Sequence, residues 1–156
     1  MKRVSLPKHG FTMIELMIVV VVIGLLIAIA VPAFRKITES SRMATFINDC
    51  QVFGGAAQYY LFESGDDEIE DAGSGELPED LEGYIQESAF EGQTPIGGQW
   101  DFDADYGFSG VGAVGSTLSL DALARLDESF DDGDWSTGQI RVFGADRVYR
   151  VYWVIE

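Results

Sequence analysis

One carboxylate, Glu15, stands in an otherwise uncharged stretch running from Phe11 to Phe34. An acid at the centre of a membrane helix costs on the order of 2.5–3.5 kcal/mol, less near the helix start, and at either place it calls for a partner. A positive charge at the start of a neighbouring helix would serve. Cutting the chain between Gly10 and Phe11 would create one, the new α-amino group of Phe11. A second grouping is the acidic turn Asp131, Asp132 and Asp134. Several carboxylates within four residues suit Ca²⁺, and the alternative is a solvated turn that caps the preceding helix. A third, Asp101, Asp103 and Asp105, opens like the D-x-D-x-D of an EF-hand. Here Gly107 falls at the seventh position instead of the sixth, and Gly112 stands where the bidentate Glu belongs. A half-buried strand from Trp100 to Tyr106, with the three aspartates on a solvated face, accounts for that pattern better.

Other catalytic chemistry is sparse. The single histidine, His9, precedes the Gly10–Phe11 bond and would leave with the leader, so no imidazole would remain for a triad or a zinc site. Cys50 is the single cysteine. It allows no intramolecular disulfide, and on an amphipathic helix it reads as a small buried side chain and not as a nucleophile. No two carboxylates are set apart as a glycosidase-like acid pair. The expectation is a protein that is not an enzyme.

The elements that would position Gly10, Phe11 and Glu15 begin with sixteen consecutive residues, Leu16 to Val31, without a charged or hydrogen-bonding side chain. Pro32, Ala33 and Phe34 extend the run to nineteen. At about 1.5 Å per helical residue, that length crosses a bilayer core of about 30 Å. Beyond Phe34 the apolar positions Ile37, Ala44, Ile47, Phe53, Ala57, Tyr60 and Leu61 recur near helical spacing, so the helix is expected to continue, amphipathic, to about Phe62. Gly24 and Pro32 are its weak points, glycine costing about 1 and proline about 3 kcal/mol relative to alanine in a helix interior. Glu63 to Glu76 reads as an acidic, turn-rich linker. A short helix is expected from Leu77 to about Phe90, with Leu81, Tyr84 and Ile85 buried. Phe108 to Ser116 reads as glycine-rich and irregular, and a helix from Ser119 to about Phe130 turns Leu123 and Leu126 inward. The chain ends in two strands, Gln139 to Phe143 and Val148 to Ile155, spaced for an antiparallel hairpin. The last strand is almost wholly apolar and should be central in its sheet or packed under the long helix.

The short basic leader ending in Gly10, followed by Phe11, Glu15 four residues later, Gly24 and Pro32, resembles the type IV pilin-like proteins, which include pilins and the pseudopilins of type II secretion. The resemblance is specific over roughly residues 8–34. It implies a prepilin peptidase in the membrane that cuts between Gly10 and Phe11 and methylates the new amine, and pairing of Glu15 with a neighbouring subunit's Phe11 during fibre assembly. It also implies loosening of the helix between Gly24 and Pro32 as a subunit enters the fibre, an inner-membrane assembly platform and other pilin-like subunits as partners, and an exported C-terminal part. Major pseudopilins hold calcium in a C-terminal loop, but their ligands cannot be matched residue by residue here. Many pilins close a C-terminal loop with a disulfide, which this chain departs from, and the departure points towards a pseudopilin.

The expected fold is therefore α+β: a leader over residues 1–10, a long protruding N-terminal helix over 11–63 with its membrane part at 11–34, and a C-terminal domain over 64–156 built on a small antiparallel sheet of three or four strands. Charge is unevenly placed. From Met43 onward there are four arginines against 24 acids, a net charge of about −20. Such a surface repels phosphate backbones, whose neutralisation by Lys and Arg drives nucleic-acid affinity, so a nucleic-acid partner is disfavoured. Three basic residues flank the span on each side, so the positive-inside rule does not settle orientation by itself; the leader's amino terminus tips it towards N-terminus inside, with a periplasmic C-terminal domain. The expected function is a structural subunit of a fibre assembled from the inner membrane, a type II secretion pseudopilin. The alternative in the same family is a minor pilin for adhesion, motility or DNA uptake. An alternative of another class is an exported soluble binding module, since Ala28-Ile29-Ala30 also reads as a small-residue cleavage site that would release a chain beginning at Val31.

Overall fold

The computed structural model describes residues 10–103, 107–145 and 148–155. The leader expectations on residues 1–9, the Ala104 to Tyr106 end of the first strand, and the Asp146–Arg147 link of the last hairpin lie outside the described residues. The chain divides into two units, one ending at Glu39 and the other running from Ser40 to Glu156. Helix α1, Met13–Ser64, contributes to both.

In the first unit every side chain from Phe11 to Ile37 is exposed, the apolar ones included. The described residues hold one helix long and apolar enough to cross a membrane, and its most hydrophobic window is wholly uncovered. A surface so apolar is unfavourable in water, at about 25 cal/mol per Å², and needs lipid or other helices around it.

In the second unit, α1 presents Met43, Phe46, Ile47, Cys50, Phe53, Gly54 and Ala57 as its buried face. Their spacing of three and four is one stripe of a 3.6-residue helix. Ile47, Phe53 and Ala57 lie where the spacing placed them, whereas Ile37 and Ala44 are exposed: the stripe passes through Met43 and Phe46, one position round from Ala44. Cys50 is buried, and burial holds its thiol well above the ordinary range, as an inert apolar filler requires.

The stripe packs on an antiparallel sheet of four strands in the order β1-β2-β4-β3: β1 Gln99–Asp103, β2 Ser109–Ser116, β3 Ile140–Ala145 and β4 Val148–Ile155. The apolar last strand, β4, is interior, flanked by β2 and β3. Gly54 brings the helix backbone close to it, since a Cβ there would lie 3.5 Å from Ile155 Cγ1. Between helix and sheet, Trp100 stacks on Phe46 with centroids 5.4 Å apart and takes the edge of Phe53 at 4.9 Å. Phe90 stacks on Phe102 at 5.2 Å. Each such pair adds about 0.5–1.5 kcal/mol to the area it buries, so this aromatic cluster ties α1 to the sheet.

Four expectations are corrected. Phe108 to Ser116 is not irregular: from Ser109 it forms β2, an interior strand. Its glycines belong there because a Cβ at Gly112 would collide with the Val151 carbonyl of β4, and Gly115 carries a bulge at positive φ. The single helix expected from Leu77 breaks into a 3₁₀ turn, Glu79–Leu81, and a four-residue helix α2, Glu87–Phe90. Gly83 between them adopts a φ of 89° that a helix cannot contain. Leu81 and Ile85 are buried as expected, but Tyr84 is 38% exposed and donates its hydroxyl to Glu63 Oε2 at 2.9 Å. Asp101, expected on a solvated face, is 4% exposed. It shares a row with Gly112 and Tyr152 across β1, β2 and β4, and the Tyr152 hydroxyl donates to its Oδ2. Burial pushes the Asp101 carboxyl above its usual range, against the lowering effect of hydrogen bonds from Tyr152 and Ser74.

Helix α3, Leu120–Phe130, keeps its expected bounds. Ser119 caps it, its Oγ accepting from the Ala122 amide at 3.3 Å, and Leu123 and Leu126 are buried.

Candidate functional site

The first turn of α1 carries the residues singled out by sequence. Thr12 sits just before the first helical residue, Met13, and Glu15 is the third residue inside. The Glu15 amide donates to Thr12 Oγ1 at 3.3 Å, and the Thr12 amide donates back to Glu15 Oε2 at 2.8 Å. This reciprocal pair is a capping box, which satisfies two of the four amides a helix start leaves without partners. The Thr12 hydroxyl also donates to Glu15 Oε2 at 2.8 Å. Within one chain the Glu15 carboxylate is thus hydrogen-bonded at its own helix start, by neutral donors that leave its charge unbalanced. Thr12 was missed by charge and spacing, although T-x-x-E before an apolar run was a legible signal for it.

Phe11 lies immediately outside the helix, 79% exposed, and Gly10 is exposed beside it. The bond between them is accessible, with no Cβ on its amino side, which suits entry of an extended chain into a peptidase. Gly24 and Pro32 both lie inside α1, and a Cβ at Gly24 would meet nothing within 4 Å, so no packing within the chain calls for a glycine there. The site thus consists of an accessible peptide bond, a carboxylate held by a cap at the end of an apolar rod, and an uncovered apolar surface.

The prokaryotic N-terminal methylation motif matches residues 6–31, a segment that takes in Gly10, Phe11 and Glu15. Over its N-terminal part the chain is similar to type IV pilin and fimbrial proteins. Among similar proteins, the fimbrial protein EcpC of Eikenella corrodens is 41% identical over 58 residues, 37% of this chain and 38% of that protein. The type IV major pilin protein PilE1 of Neisseria gonorrhoeae is 33% identical over 87 residues, 54% of this chain and 48% of that protein. The type IV narrow pilus major component PilA5 of Thermus thermophilus is 57% identical over 35 residues, 22% and 30% respectively. The matches to these relatives thus span between about a third and a half of their length. No solved structure matches the chain significantly. Pilin-like architecture is nevertheless what the structure has: a long N-terminal helix, apolar at its start, packed through its later turns on a small antiparallel sheet.

The acidic turn is arranged differently from its sequence reading. Asp134 faces its own loop: its Oδ1 accepts from the amide of Ser136 at 3.0 Å and from its hydroxyl at 2.6 Å, bonds that hold its carboxyl below the usual range. Asp131 and Asp132 do come together, and the third carboxylate beside them is Asp127, from the last turn of α3.

Proposed function

We propose that this chain is a structural subunit of a type IV pilus-like fibre, cut between Gly10 and Phe11 by a prepilin peptidase and held before assembly by α1 in the inner membrane. The observation that carries the reading is the single charged side chain, Glu15, at the start of a helix whose apolar surface from Phe11 to Phe34 has no cover. In a bundle of such helices the exposed surface is buried by lateral packing, and only a staggered arrangement brings a new Phe11 amine to a neighbour's Glu15. In hydrocarbon, a Glu15 left unpaired costs a few kcal/mol, enough to select that register. The acidic second unit then faces the aqueous side. Assembly partners are other pilin-like subunits and an inner-membrane platform.

Within this reading we favour a pseudopilin of type II secretion, because Cys50 has no second cysteine to close a disulfide loop. A pilus subunit is the second reading, favoured by the relatives' names, which are those of fimbrial and pilin proteins. The strongly acidic second unit disfavours DNA as its ligand. Glu15→Gln tests the assembly role. The variant is expected to insert and be cut while its incorporation into fibres falls at least about tenfold, the loss of roughly 1.4 kcal/mol of register selection. Normal fibres from Glu15→Gln would refute it. Deletion of the gene separates the two readings: loss of exoprotein secretion with surface pili retained marks a pseudopilin, and the reverse marks a pilin.

A further inference from the structure

The far end of the uncovered apolar run carries charges that the assembly reading does not use. Arg35 and Lys36 follow Phe34 directly, and residues 35–42 hold three cations against one acid, Glu39, a net charge of +2. That sign is confined to this stretch, since from Met43 onward four arginines are outnumbered by 24 acids. Arg35 and Lys36 are both exposed, and their neighbours Phe34 and Ile37 are 70% and 68% exposed. Each residue of a helix is turned about 100° from the last, so these four ring α1 with two cations on one side and two apolar groups on the other. The nineteen-residue run before them spans a hydrocarbon core of about 30 Å, which sets the ring at the depth of the headgroups.

We infer that Arg35 and Lys36 bind the headgroups of anionic phospholipid where α1 leaves the membrane, given the membrane placement of α1 proposed above. A guanidinium donates two parallel hydrogen bonds to a phosphate, and an ammonium adds a mobile point charge beside it. The long stems of both side chains lie along the apolar helix while their heads reach the polar layer, and Phe34 and Ile37 meet the acyl chains on the opposite side. A zwitterionic headgroup brings its own ammonium to its phosphate and so competes with the protein's cations, whereas an anionic one does not. The site also answers a problem set by the rest of the chain. An anionic membrane surface repels the acidic second unit, and each cation near such a surface strengthens attachment by about fivefold, less as salt is added. Arg35 and Lys36 therefore hold the chain to the surface against that repulsion.

The test uses the full-length chain in detergent micelles and counts the lipids it retains in native mass spectra, with phosphatidylglycerol and phosphatidylcholine added at equal concentration. The wild type is expected to retain phosphatidylglycerol about tenfold or more over phosphatidylcholine. Arg35→Gln combined with Lys36→Gln, both at exposed positions where folding is safe, is expected to lose most of that preference. Replacing the leader cations Lys2, Arg3 and Lys8 by glutamine is expected to leave the preference in place. Glycerol phosphate, the headgroup without its chains, is expected not to displace the lipid at the same concentration. Equal retention of the two lipids by the wild type, or a preference that follows the leader cations and not Arg35 and Lys36, would overturn the site. Displacement by glycerol phosphate would overturn it as a membrane contact. Undiminished lipid preference in the Arg35→Gln, Lys36→Gln variant, with fewer dimers than the wild type, would assign the cations to the acidic unit of a second copy and overturn it too. Carbonate washing of membranes separates the two ways of failing: a chain that washes off refutes the membrane placement itself, and a chain that stays without lipid preference refutes the headgroup site alone.

Discussion

Tyr152→Phe isolates one buried polar contact of the second unit. The ring of Tyr152 is fully buried, edge-on to Phe108 with centroids 6.1 Å apart, and its hydroxyl donates to Asp101 Oδ2 with Asp103 Oδ2 at 3.3 Å. Phenylalanine keeps the ring and removes only the hydroxyl, leaving a carboxylate that is almost wholly buried to lose its donor across the sheet. A hydrogen bond to a charged buried group is worth about 1.5–3 kcal/mol, so a loss of about 2 kcal/mol, or roughly 5–10 °C in Tm, is expected for the full-length protein in micelles. The effect also has a pH signature. Burial holds the Asp101 carboxyl above its usual range while the hydrogen bond from Tyr152 pulls it back down, so removing the bond raises it further. A carboxyl raised in the folded state is at its least favourable above the folded pKa, and its penalty fades as pH falls through that value towards the unfolded one of about 3.9. The gap between wild type and Tyr152→Phe should therefore be widest near neutrality and narrow on acidification. Tryptophan fluorescence is the assay, since Trp100 and Trp153 lie in the sheet. A loss under about 2 °C, or a gap that does not narrow at low pH, would show that this contact does not hold the outer face of the sheet together.

Three further outcomes follow from other contacts. Gly54→Ala places its Cβ at an ordinary 3.5 Å from Ile155 Cγ1 and improves helix propensity, so a gain of about 0.5–1 kcal/mol is expected, whereas Gly54→Leu should lose about 1–3 kcal/mol by overpacking; denaturant melts that ranked the two the other way would sink the close approach of α1 to β4. Thr12→Val removes the hydroxyl half of the capping box, worth about 1 kcal/mol, and should speed amide exchange in the first turn of α1 about fivefold in micelles; unchanged exchange would mean the box does not form. Gly24→Ala combined with Pro32→Ala should leave membrane insertion intact and reduce fibre yield, and unchanged fibres would show that helix loosening between them plays no part in assembly.

How much of this was legible in the sequence depended on the range of the forces involved. The apolar run, the helix that continues from it, the capped α3 and the interior position of β4 are set by periodicity and local caps, which the sequence displays directly. Strand β2 was hidden because Gly112 is there for the closeness of the β4 backbone and Gly110 for the Phe108 ring and the Trp153 carbonyl, tertiary demands that propensity cannot see. The burial of Asp101 follows from a register two strands away, where Gly112 separates it from Tyr152. Asp127 escaped notice because it sits inside a helix among other solvated acids, and only the fold of the 131–140 loop turns Asp131 and Asp132 back towards it. Thr12 is the one omission that local rules could have prevented, since charge drew attention to Glu15 and away from the residue that caps it.

The central claim is that Gly10, Phe11 and Glu15 form a processing and assembly site at the start of a membrane helix. Intact mass and N-terminal sequence of the protein recovered from a host with a prepilin peptidase test it most directly. The expected product is a chain in the membrane fraction that begins at N-methylated Phe11. A soluble chain beginning at Val31, or a membrane chain still carrying Met1, would contradict it.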